Sequence, residues 1–258
     1  MLAAIARLVL FVTAVSAVSD LKPLSAEIAN LPNADLGTAH VRAVDPPAPT
    51  GQAQPVDAHG PEFFTISLSI LHTAAVTTVH VEGAGSKEPV GGRLGPGTLA
   101  DNGVTQFIVP RDYYGNIAFN NAEFRADTGD ESLLEFSFTN QNGIYTPDID
   151  VSYVDGFSVP ISCFCTNEGP HYSGCAKDLW SLNPCPDNNG QGSCRNPRRH
   201  NAIKNPTGFF APCYRYGGAY TCPDDNEANT LNGGRCRDSV GATCCIGNLC
   251  REWDDRPR

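Results

Sequence analysis

The chain has 258 residues, with 18 Lys and Arg against 28 Asp and Glu, for a formal net charge of −10. That balance excludes a nucleic-acid binder of the usual kind, which needs a basic face, and argues against charge-driven adhesion to an anionic membrane. Hydrophobic residues make up 41% and there are eleven cysteines, enough for a sizeable β-rich body and a set of covalent staples.

The first residues, MLAAIARLVLFVTAVSAVSD, carry one cation, an apolar run and small residues at Val15-Ser16-Ala17. This is the layout of a secretory signal peptide over 1–17. The apolar run is shorter than the roughly 20 residues of a membrane span, so export to an extracellular or cell-wall location is expected, with no membrane span. Residues 18–60 include DPPAPTGQAQPVDAHGP, too poor in aromatic and β-branched residues to offset the entropy of ordering. They are read as a flexible Pro/Ala-rich leader.

From residue 61 the pattern is that of strands. FFTISLSIL (63–71), AVTTVHVEG (75–83), VTQFIVP (104–110), YGNIAFNN (114–121), SLLEFSFTN (132–140), IDVSYV (149–154) and GFSVPIS (156–162) alternate apolar and polar residues. GGRLGPGTLADNG (91–103) reads as turn chemistry and NQNGIYTP (140–147) as a loop. An all-β antiparallel sandwich over 61–162 is expected. Residues 163–250 hold every cysteine, many Asn, Gly and Pro, and few apolar runs. They read as a disulfide-rich loop domain with one short helix within 176–184, followed by a C-terminal tail at 251–258.

An oxidising destination makes the cysteines disulfide candidates, and the absence of C-x-x-C spacing argues against a metal. No metal or cofactor is expected, and His72 and His80, placed in strands, read as packed or surface residues. Cys244 and Cys245 are adjacent, about 3.8 Å apart at Cα, too close for the usual disulfide span of about 4.4–6.8 Å. They need different partners; the nearest are Cys236 and Cys250. An odd total leaves one thiol over. The basic run RNPRRHNAIK (195–204) reads as a solvated loop, with an anion or polysaccharide contact as the lesser alternative.

Strand alternation puts Leu134, Phe136 and Phe138 on one face of 132–140 and Glu135 on the other; Ile149, Val151 and Tyr153 oppose Asp148 and Asp150 in the same way. With both apolar faces on one core, Glu135, Asp148 and Asp150 end on the same outer side, as a solvated strand face or as the wall of an acidic cleft.

The stretch LLEFSFTNQNGIYTPDIDVSYVDGFSVPIS resembles the LAEFxLN…DIS-LVDG-FN-VPM segment of thaumatin-like proteins. PVGGRLGPGTLADNGVTQFIVPRDYYGNIAF is similar to the family's GGR-to-G.IW stretch, and Cys175-x9-Cys185-Pro186 and Cys236-x7-Cys244-Cys245-x4-Cys250 resemble its cysteine pattern, with spacings nearer fungal members. The resemblance spans about residues 62–250. It implies a β-sandwich beside a disulfide-rich domain with an acidic cleft between them, and the bonds Cys185–Cys194, Cys236–Cys244 and Cys245–Cys250. Cys163, Cys165, Cys175, Cys213 and Cys222 would then form two further bonds and leave one thiol. Glu135 and Asp150 match two of the family's cleft acids; Asp148 is a shifted stand-in, since the family's next Asp falls on Pro147. The cleft Arg is missing, with Asn116 and Asn120 in GNIAFN. An insertion at 213–229 brings Asp224, Asp225 and Glu227 as further charge.

The resemblance implies a secreted, monomeric, non-catalytic binder of cell-wall β-glucan or a related polysaccharide. The alternatives are a weak endo-β-1,3-glucanase, with Glu135 as acid and Asp150 as base or nucleophile, and an effector or defence protein acting on a host or cell-wall protein through loops at 195–230.

Overall fold

A computed structural model of the protein describes residues 59–92, 97–165, 172–200, 204–215, 218–226, 228, 230–232, 236 and 240–251. The expected signal peptide (1–17), the leader except for its last two residues, and the tail beyond 251 lie outside the described residues, as does Glu227. The described residues belong to one compact unit, and none of their helices is long and apolar enough to cross a membrane.

The fold is all-β. Strand β1 (Phe63–Ile70) alternates strictly, with Phe64, Ile66, Leu68 and Ile70 buried. β2 (Val76–Glu82) follows, and the glycine-rich turn region supplies two short strands, β3 (Gly91–Gly92) and β4 (Gly97–Leu99), where only turns are expected from sequence. β5 (Val104–Pro110) buries Phe107 and Val109, and β6 (Tyr113–Asn121) buries Tyr113, Ile117 and Phe119. β7 (Ser132–Gln141) and β8 (Ile144–Ser152) form a hairpin whose buried face carries Leu134, Phe136, Phe138, Ile149 and Val151.

The loop expected over 140–147 is instead a two-residue turn, Asn142-Gly143, with φ of 56° and 90°. Positive φ at both central residues is the geometry that Asn-Gly favours in tight hairpins, and it extends both strands to the turn.

Past β8 come β9 (Gly156–Phe157), β10 (Ile161–Cys165), β11 (Tyr172–Cys175), the single-turn helix α1 (Leu179–Leu182), β12 (Cys194–Arg195) and β13 (Gly241–Ile246). One sheet runs β11-β10-β13-β1-β5-β3 and the other β4-β2-β6-β7-β8; β9 and β12 pair separately. Aromatic contacts join the two sheets face to face, Phe64 with Phe138 at 5.8 Å and Phe107 with Phe136 at 4.9 Å between ring centroids. The arrangement is a sandwich-like packing of two sheets around one core.

Two expectations change. The cysteine-rich stretch does not stand apart as its own domain, because β13 lies between β1 and β10 in the middle of the larger sheet. The sheet is also not wholly antiparallel, since β13 runs parallel to β1. A parallel neighbour needs a long connection, and the long excursion after β1 supplies it.

Candidate functional site

The β7–β8 register places Glu135 directly across from Asp150, and Ser137 across from Asp148. Both pairs lie on the outer face, since the intervening Leu134, Phe136, Ile149 and Val151 are buried. Asn116 of β6 stands across from Glu135 in the same row, where the family resemblance expects an arginine nearby. The three predicted acids are thus brought onto one face, each half-buried.

The chain around Tyr220 and Leu231 lies beside these acids. It pairs with the free edge of β8: Tyr220 N–H donates to Val151 O at 2.8 Å, and Tyr153 N–H to Tyr220 O at 2.7 Å. Leu231 exchanges bonds with Ile149, at 2.8 and 3.1 Å. Asp225 is not a cleft charge. It is buried and folds the intervening turn by accepting from Thr221 N–H, Thr221 hydroxyl and Ala228 N–H at 2.9, 2.7 and 3.0 Å. Asp224 is exposed.

Burial sets the electrostatics of the three acids. It pushes the Asp150 carboxyl up to about 8, with the negative neighbours Glu135 and Asp148 adding to the effect. Glu135 is raised by burial too, offset by a hydrogen bond from Ser152 and reinforced by Asp155. Asp148 is raised by burial and relieved in part by Thr230, and its Oδ1 is a buried atom without a hydrogen-bond partner. The Tyr220 phenol is raised, first by burial and then by Asp150 and Asp148. No cation among the described residues figures in these shifts.

No family model and no curated protein matches this chain.

The basic run at 195–204 behaves differently from a solvated loop over its described part, 195–200. Arg195 bridges Asp130 at 3.2 Å and Asp187 at 3.3 Å, and Arg199 also binds Asp130, which is buried. Burial pushes the Asp130 carboxyl up, but Asn189, Arg199 and Arg195 outweigh it and hold the group below its ordinary value. These cations are committed to a structural carboxylate.

His80 shares the buried side of β2 and hydrogen-bonds the Tyr113 hydroxyl, whereas His72 sits in the turn after β1 and is buried. Among the described residues no group of His, Cys, Asp and Glu is arranged to hold a metal ion.

Five disulfides are formed: Cys163–Cys244, Cys165–Cys236, Cys175–Cys213, Cys185–Cys194 and Cys245–Cys250. Cys222 is free and buried, its thiol raised by burial and by Asp225. The Cys236–Cys244 bond that the resemblance implies is replaced by two long-range ones. Residues 241–246 form a strand in which Cys244 is fully buried directly across from Cys163, while Cys245 alternates to the other face and meets Cys250. Sequence proximity to Cys236 counts for nothing once Cys244 is held in that register.

Strand alternation in the sequence puts Ser152 on the face of Asp148 and Asp150, and it hydrogen-bonds Glu135; reasoning from sequence missed Tyr220 and Thr230 as neighbours of the acids. Tyr220 and Thr230 arrive by pairing across more than sixty residues, for which no local pattern exists.

Proposed function

We propose that this protein is an exported, thaumatin-like, non-catalytic binder of β-glucan or a related cell-wall polysaccharide, acting through the acidic groove. The observation that carries the reading is the facing pair Glu135 and Asp150 on a half-buried outer sheet face. A carboxylic acid that keeps its proton near neutral pH donates a hydrogen bond, and its ionised neighbour accepts one. Together they match sugar hydroxyls, which do both. The motif resemblance over residues 62–250 and the five disulfides support an extracellular setting.

Weak endo-β-1,3-glucanase activity is the second reading, favoured by the raised Asp150. The register sets Glu135 and Asp150 side by side on one face, as a glycosidase needs of its two carboxyls. Both carboxyls are raised, Asp150 to about 8, which makes Asp150 the candidate acid, the reverse of the role drawn from the motif. Catalysis would also need a nearby charge to stabilise the developing cation and leave Glu135 ionised, yet burial and Asp155 outweigh the hydrogen bond from Ser152 and raise its carboxyl.

Sedimentation with insoluble β-1,3-glucan tests the binding. Wild type is expected in the pellet, and Glu135→Gln/Asp150→Asn is expected to lose about tenfold in affinity, 1.4 kcal/mol. Equal pelleting of the two proteins, or none by wild type, overturns the reading. Laminarin digestion with reducing-end detection decides between binder and enzyme. The binder gives no product above blank, whereas product that disappears in Asp150→Asn establishes the glucanase.

A further inference from the structure

A cavity of about 400 Å³ is lined, among the described residues, by none of the three acids. Its walls include Trp180, Phe124, Asn121, Asn188, Asn248 and Asp178, with no lysine, arginine or glutamate. Each asparagine has its side-chain oxygen committed to a backbone N–H: Asn121 to Glu123 at 3.1 Å, Asn188 to Gly190 at 2.8 Å and Asn248 to Thr73 at 3.2 Å. The three amide NH₂ groups are left as donors. Asp178 accepts from Trp180 N–H through one oxygen at 3.2 Å, which leaves the other as an acceptor.

Trp180 is held for contact with a ligand. Its indole N–H donates to Ser158 O at 2.9 Å, and the ring meets Phe209 edge-on at 5.6 Å, so its orientation is fixed while it stays half-buried. The rim is equally constrained. The Cys185–Cys194 bond closes a loop around Asn188, Gly190 and Gly192, and Cys245–Cys250 closes one around Asn248. Gly192, at φ 80°, lies so close to Phe124 that a Cβ there would come within 2.3 Å of the ring. His72 anchors the second loop, accepting from Asn248 N–H through Nδ1 at 3.2 Å. Its Nε2 is buried at the cavity wall without a partner, the kind of polar atom that calls for a bound water or ligand.

We propose that this cavity is a second binding site, for one ring of a neutral saccharide. A fixed aromatic surface, several amide donors and a single carboxylate acceptor suit a ring with an apolar C–H face and hydroxyls at its edge. The absence of cations disfavours phosphorylated or acidic ligands. Disulfide-clipped loops reduce the ordering cost of binding. The site stands whether or not the acidic groove binds polysaccharide.

The chain has two tryptophans, Trp180 and Trp253, so the full-length protein with Trp253→Phe reports Trp180 alone by fluorescence. It is titrated with laminarihexaose, chitohexaose and mannohexaose. The expected result is a saturable shift with at least one of them, weakened about tenfold by Asn188→Ala/Asn248→Ala and unchanged by Glu135→Gln/Asp150→Asn. Asn188→Ala alone, on an exposed position, serves if the double variant fails to fold. The proposal is overturned if no oligosaccharide moves the Trp180 signal, if the asparagine variants bind as wild type, or if the signal depends on Glu135 and Asp150. It is overturned equally if oligogalacturonate, titrated alongside as an acidic control, is the sole ligand that binds.

Discussion

At the scale of single residues, the groove is built around a carboxyl that resists ionisation. Asp150 titrates at about 8 in the folded chain against an ordinary value of about 3.9. The folded state therefore binds the extra proton between those values. Stability from this residue is full below about pH 4 and declines as pH rises toward 8, by at most about 1.4 kcal/mol per pH unit. Asp150→Asn removes the penalty. Its thermal midpoint, followed by circular dichroism, is expected to match wild type near pH 4 and to exceed it at pH 8.5 by at least about 3–6 °C, the shift that 1–2 kcal/mol gives, with about 5–6 kcal/mol as the upper bound. An equal gap at both pH values would show that packing, not titration, distinguishes the two. Asp130 shows the opposite solution: its burial is tolerated because Arg195 and Arg199 reach it.

At the scale of elements, the β7–β8 hairpin decides whether a site exists at all. A slip of one residue would turn Glu135 and Asp150 into the core and Leu134 and Val151 out of it. The Asn142-Gly143 turn and the buried apolar row fix that register together. No atom lies within 4 Å of a Cβ added at Gly143, so Gly143→Ala isolates the backbone cost of a left-handed conformation, about 1–2 kcal/mol. A lower urea midpoint with unchanged slope is the expected outcome; an unmoved midpoint would mean that the turn does not constrain the hairpin. The Asn-Gly pair was legible in the sequence as a hairpin signal, yet the flanking NQ and IYTP lack clean alternation and read as loop. The structure extends the strands through them because cross-strand pairing outweighs weak local pattern.

Across the whole molecule, disulfides tie the cysteine-rich stretch into the sheets. Cys163–Cys244 spans 81 residues and Cys245–Cys250 spans 5. Loop-closure entropy gives the first about 4–5 kcal/mol and the second about 2 kcal/mol. Paired substitution to alanine at Cys163 and Cys244 should lower the urea midpoint about twice as much as at Cys245 and Cys250; equal losses would contradict the entropic account. Thiol titration of the unfolded, unreduced protein should find one group, Cys222, that is silent in the native state. Two or more thiols would contradict the pairing.

The sequence by itself determined the longer strands over residues 63–154, the faces they bury and the outer placement of Glu135, Asp148 and Asp150, because alternation along a strand is a local property. It also determined that Cys244 and Cys245 take different partners, a matter of covalent geometry. Only the tertiary structure decided that β13 inserts beside β1, that Cys244 meets Cys163, that Tyr220 and Leu231 pair with the edge of β8 beside the acids, and that burial pushes the Asp150 carboxyl up. Each of these depends on which distant segments share an edge or exclude water from a side chain, and neither is written in the spacing of neighbouring residues.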